Sequence, residues 1–156
     1  MKSTLEIIAV AAIAAAGLAA TECRVNTGPT QIEDEVVPVV VGDPFDVASW
    51  VEDPYTIRDA RVSGDQLVID LRFSGGCEDH DFRLVRAEAF LESNPVQQRL
   101  LLAHDGHDDA CEALLQPTLT IDITSIRNAW RQAYQQTSGT IILRLHDWDG
   151  ELRYEF

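Results

Sequence analysis

Polar and apolar positions fall into three regimes along this chain. Residues 7–20 are apolar without a break, so that run has no polar face. Residues 24–54 show little periodicity. From about Tyr55 onward, apolar residues recur at the period of two that half-buries a strand. The clearest case sets Leu67, Ile69, Leu71 and Phe73 on one face and Val68, Asp70 and Arg72 on the other. A Ser63-Gly64-Asp65 turn joins it to a run at 57–62, and Gly75-Gly76 ends it. The run at 82–91 switches apolar phase after Leu84, which predicts a bulge or a crossing between sheets. Residues 100–104 and 110–115 flank a polar tip, Asp105-Gly106-His107-Asp108-Asp109, and read as the two arms of a hairpin. Leu119, Ile121 and Ile123 predict another strand, and Ile141, Leu143 and Leu145 one more. Beyond an Asp149-Gly150 turn, Leu152, Tyr154 and Phe156 predict the last.

A helical period occurs near the C-terminus. Ile126, Ala129, Trp130, Ala133 and Tyr134 share a face, Thr124 or Ser125 can cap the start, and Gly139 offers a left-handed stop. The expected fold is mainly β: an antiparallel β-sandwich of about seven strands with one short helix near the C-terminus. The expected organisation is a signal peptide at 1–22, an acidic Pro-containing tether at 23–54 and the sandwich at 55–156. The tether carries four of the six prolines. Pro38 interrupts its valine-rich stretch, which suits an edge strand, with Phe45 and Trp50 available to dock it.

The N-terminal run changes the picture from fold to compartment. Lys2 precedes it and Ala16, Gly17, Ala19 and Ala20 end it, the pattern of a cleaved export signal. It is shorter than the roughly 20 residues a spanning helix needs. The chain is therefore expected to be exported, as a periplasmic, membrane-anchored or secreted protein. Its net charge of −14 opposes nucleic acid and anionic lipid as partners. That leaves an envelope or extracellular ligand, with the membrane reached only through a lipid anchor. No nucleophile elbow, phosphate loop, H-E-x-x-H helix or dinucleotide fingerprint is present in the sequence. Binding or a structural role is thus expected rather than catalysis, with a small hydrolase as an alternative and no catalytic residue assigned.

Three cysteines remain to be placed: Cys23, Cys77 and Cys111. Cys77 and Cys111 lie in the folded region, and in an exported chain they are expected to form a disulfide. Closing that loop removes roughly 3 to 4 kcal/mol of unfolded-state freedom in the chain-entropy model. The spacing Cys77-x2-His80 with His107-x3-Cys111 also matches a zinc site, the choice where thiols stay reduced. With the cysteines oxidised, no cofactor is expected. The alternative is a periplasmic metal-binding protein, in which His80, His104 and His107, with Asp105, Asp108 and Asp109, offer donors to zinc or another divalent metal. The plainer alternative makes His80 and His104 hydrogen-bonding groups at strand ends and the Asp-rich tip a solvated turn.

The segment Phe73-Ser74-Gly75-Gly76-Cys77 through His80-Asp81-Phe82, followed by His104-Asp105 and Asp109-Ala110-Cys111-Glu112-Ala113, resembles uncharacterised exported bacterial proteins described as lipoproteins. The layout over about 55–156 is also similar to the C-terminal β-sandwich of NigD-like lipoproteins, in which a His-Asp tip precedes a strand and a short helix. The resemblance implies fold and location and brings no activity. It places Cys23 where lipoproteins carry their acylated cysteine. Glu22 precedes it, where the lipoprotein pattern has a small residue, so a secreted, unlipidated chain is the alternative.

Overall fold

Alternating runs of this kind bury one face only if a second layer covers it, and here two sheets cover each other. The structure, a computed structural model, describes residues 36–50 and 53–156. The expected signal peptide and Cys23 lie outside the described residues. The strands are β1 (Val39–Val41), β2 (Thr56–Ser63), β3 (Gln66–Gly75), β4 (Asp81–Arg86), β5 (Val96–Asp105), β6 (Ala113–Leu115), β7 (Thr118–Asp122), β8 (Thr140–Leu145) and β9 (Leu152–Glu155). The helix α1 (Thr124–Tyr134) lies between β7 and β8. One sheet has the order β1-β4-β5-β8-β9. The other pairs β2 with β3, and β3 carries β6 and β7 in succession. Pro117 lacks an N–H and separates those two short strands, while its carbonyl still accepts the Leu71 N–H at 2.9 Å.

Leu67, Ile69, Leu71 and Phe73 of β3 meet Phe82, Leu84, Leu100, Leu102, Ile141 and Leu143 of the facing sheet in one core. The expected mainly β fold with a single helix is present. Among the described residues the strands number nine, and two pairings, β1 with β4 and β5 with β8, are parallel instead of antiparallel. Both parallel pairs arise because the chain visits the other sheet before returning.

Several local expectations are corrected. The phase switch after Leu84 is no bulge, since β4 and β5 stay in register from Asp81↔Asp105 to Arg86↔Leu100. Val85 is apolar because its face is covered too: Val85, Leu101 and Ala103 form a second cluster under Val40, Val47 and Trp50. The register irregularity falls in β2, between Ile57 and Asp59. Within residues 36–50 the valine-rich stretch supplies the edge strand expected of it, β1 pairing with β4, and Val37 is buried in the core. The expected hairpin of 100–104 and 110–115 does not form. β5 and β6 lie in different sheets, and the polar tip crosses between them. In α1 the left-handed residue is Gln135, not Gly139. Gly139 serves another need, because a Cβ there would stand 2.3 Å from the Trp130 ring. Trp148, at the turn before β9, packs half-buried against the core.

Candidate functional site

β3 ends at Gly75, and β5 ends at Asp105 opposite the start of β4, so residues 76–80 and 106–112 leave the same end of the sandwich as two loops. The Cys77–Cys111 disulfide joins them, with Cα atoms 5.8 Å apart. Asp109 sits between the loops. Its Oδ2 accepts the backbone N–H groups of Gly76, Cys77 and Glu78 at 2.7, 2.9 and 3.1 Å, and its Oδ1 accepts that of Cys111 at 2.8 Å. These donors, Cys111 and Cys77 foremost, hold the carboxyl well below the usual carboxylate range although its side chain is only 1% exposed.

Behind Asp109 lie two buried imidazoles. His80 Nε2 is 3.3 Å from Asp109 Oδ2, His80 Nδ1 is 2.9 Å from His104 Nε2, and His104 Nδ1 is 3.0 Å from the Asp53 carbonyl. Phe82 stacks on His104 at 4.6 Å between centroids, and Phe73 tilts against both imidazoles. Burial pushes the His104 imidazole below its ordinary pKa, against the opposing hydrogen bond to Asp53. Asp53 also accepts the Gly106 N–H through its carboxylate at 2.8 Å, so one residue contacts both the His104 ring and the loop.

The donors in this chain can be assigned from its far end. The Asp53 carbonyl only accepts, so His104 carries its proton on Nδ1 and presents a bare Nε2. His80 therefore donates from Nδ1, and its Nε2 faces an ionised carboxylate oxygen.

His80 and His104 are thus brought together, while His107 is not. It is exposed, with Nε2 3.1 Å from Asp81. Asp105 accepts the His107 backbone N–H, and Asp108 faces solvent. The three histidines share no common focus. Among the described residues the donors that converge are those of Cys77, Asp109 and Cys111, all within 4.8 Å of one another. Sequence reasoning missed Asp53 entirely and left Asp109 undistinguished among its neighbours. The available signals were the paired glycines at 75–76, which open the backbone to a carboxylate, and the Asp109-x-Cys111 spacing of an Asx turn.

An open cleft of about 440 Å³ adjoins the site, lined by Asp53, Tyr55, Arg72, Ser74, Asp109 and Leu114 among others. Ser74 gains no base there, because His80 turns its two nitrogens to Asp109 and His104. The Tyr55 hydroxyl donates to the Leu102 carbonyl at 2.6 Å, and burial raises its pKa far above the phenolic value. The arrangement is suited to holding two loops at fixed separation.

No family model matches the chain, and no curated protein matches it in sequence. Solved structures match in fold. A NigD-like immunity protein from Bacteroides caccae is similar over 78% of this chain and 63% of its own length, with TM-score 0.55 and 18% identity. A protein of unknown function from Bacteroides vulgatus is similar over 78% of this chain and 56% of its own, with TM-score 0.46 and 15% identity. The chain spans less than two thirds of the length of either protein. The fold resemblance read from the sequence is therefore present in three dimensions: this chain is similar in fold to a NigD-like immunity protein.

Proposed function

We propose that this chain is an exported protein of the cell envelope or extracellular space that acts by binding or assembly and not by catalysis. The Cys77–Cys111 disulfide carries the reading, because such bonds persist where no thiol pool reduces them. The apolar run at 7–20 behind Lys2 supplies the export signal. The interior polar groups support a non-catalytic role, since His80, His104 and Asp109 hold one another and the loop backbone. The fold is shared with a NigD-like immunity protein from Bacteroides caccae, and protection of a cell by binding a partner is one form the binding role can take. The charge of −14 favours a cationic partner.

The test is intact mass spectrometry of the full chain, made with its leader in a bacterial host, fractionated and alkylated without prior reduction. The expected product lies in the envelope or medium, lacks the leader and carries no label on Cys77 or Cys111. Acyl mass on Cys23 separates the anchored form from the secreted one. A full-length cytoplasmic chain labelled at both Cys77 and Cys111 would overturn the reading.

A further inference from the structure

We propose that Cys77, Cys111, Asp109 and His80 form a zinc site when the disulfide is reduced, so that the same two loops are clamped either by a covalent bond or by a metal. Two thiolates, a carboxylate and an imidazole are a donor set that zinc accepts in tetrahedral geometry. The sulfur and carboxylate donors already lie within 4.8 Å of one another. His80 stands outside that trio and approaches it through the carboxylate alone, its Nε2 3.3 Å from Asp109 Oδ2. That separation matches the edge of a tetrahedron whose bonds are ~2.0–2.1 Å.

The groups around the donors suit the same purpose. A ligating histidine characteristically donates its other ring N–H, and His80 donates Nδ1–H to His104. A ligating carboxylate is characteristically held by hydrogen bonds, and Asp109 accepts four backbone N–H groups. Cys77 is exposed, so reductant and metal reach the site. The sequence spacing nominated His107 as a ligand, but that side chain pairs with Asp81, and Asp109 takes its place.

The redox step needs two electrons, supplied by a dithiol. One thiolate of the dithiol attacks a sulfur of the Cys77–Cys111 bond to give a mixed disulfide, and its second thiol displaces the protein sulfur. The reductant leaves as a disulfide, and Cys77 and Cys111 are left as thiols. Zinc then displaces both thiol protons to solvent, together with any second proton on His80.

The experiment titrates zinc into the purified full chain, oxidised and phosphine-reduced, against a chromogenic chelator under anaerobic conditions. One zinc per reduced chain and none per oxidised chain is the expected result, with thiolate-to-cobalt charge-transfer bands when cobalt replaces zinc. Asp109→Asn and His80→Asn should each weaken the reduced-state affinity at least about tenfold. His107→Ala should leave it unchanged. Equal uptake by both redox forms, no uptake by the reduced form, or affinity indifferent to both ligand variants would overturn the proposal. So would a reduced chain whose circular dichroism shows unfolding that zinc does not reverse. The result is separable from the test of compartment: a cytoplasmic, reduced chain sinks the proposed function and leaves the zinc site standing.

Discussion

β3 has a carboxylate near each of its ends, and the two are satisfied in different ways. Before it, Asp65 in the β2–β3 turn accepts the Tyr154 hydroxyl at 2.6 Å and pairs with the Arg127 guanidinium, while its backbone carbonyl takes the Ile123 N–H at 2.9 Å. Turn, helix and last strand meet on one residue, and their anchors Ile126, Trp130 and Tyr154 are buried in the core. Beyond β3, Asp109 is held by backbone N–H groups of two loops that a disulfide ties together. The first end is assembled by side-chain packing. The second owes its geometry to a covalent link, which makes it the end that chemistry outside the fold can change.

The largest expected effect removes that link. Cys77→Ala with Cys111→Ala should cost about 3 to 4 kcal/mol in urea unfolding by the chain-entropy model, and a loss under about 1 kcal/mol would show that the loops hold without it. Next come the two glycines against which each end is packed. A Cβ at Gly139 would meet the Trp130 ring, and one at Gly75 would come within 2.4 Å of His80 Nε2 and 3.0 Å of Asp109 Oδ2. Gly139→Ala and Gly75→Ala should each destabilise by about 1–3 kcal/mol through overpacking. Only Gly75→Ala should also disturb the His80 and His104 imidazole resonances in NMR spectra. Tyr154→Phe, which removes a hydrogen bond to Asp65 at constant packing, should cost about 1–2 kcal/mol in the same unfolding assay.

How much of this was legible from residues alone differs between the ends. The alternation of β3, β8 and β9 and the face of α1 were readable, because a side-chain period reports directly on a buried face. The pairing partners were not. The polar tip between 100–104 and 110–115 says that the chain turns there, but not that the two runs belong to different sheets. Val85 looked like a change of phase because covering of a second face by Val47 and Trp50 leaves no mark within β4 itself. The cysteines were conspicuous by type and compartment. Asp53 and Asp109 were not, since an aspartate that gathers backbone N–H groups looks in sequence like any loop aspartate.

The smallest expected effect near neutrality is a pH dependence that sharpens the same contrast. His104 has a lowered pKa in the fold, so the unfolded chain binds its proton first and stability falls as pH drops below about 6.5 toward the folded value. Asp109 and Asp65 are lowered too, Asp109 chiefly by the Cys111 and Cys77 N–H groups and Asp65 chiefly by Tyr154 and then Arg127. Their contribution is present above the ordinary carboxylate value of about 4 and is lost as pH falls through the lower folded values. Urea midpoints across pH should fall in both windows for the wild-type chain. Asp109→Asn should flatten the lower one in part, leaving the share that belongs to Asp65 and to Asp122, whose carboxyl is lowered by Thr124.

Backbone hydrogen exchange of the oxidised and reduced chain, with a chelator present to exclude metal, compares the two ends directly. The N–H groups of Gly76, Cys77, Glu78 and Cys111 report on Asp109, and those of Ile123 and Gly139 report on the helix end. The expected result is that reduction strips protection from the first four and leaves Ile123 and Gly139 protected. Unchanged protection at 76–78, or equal loss at both ends, would contradict the division of the sandwich into a packed end and a covalently braced one.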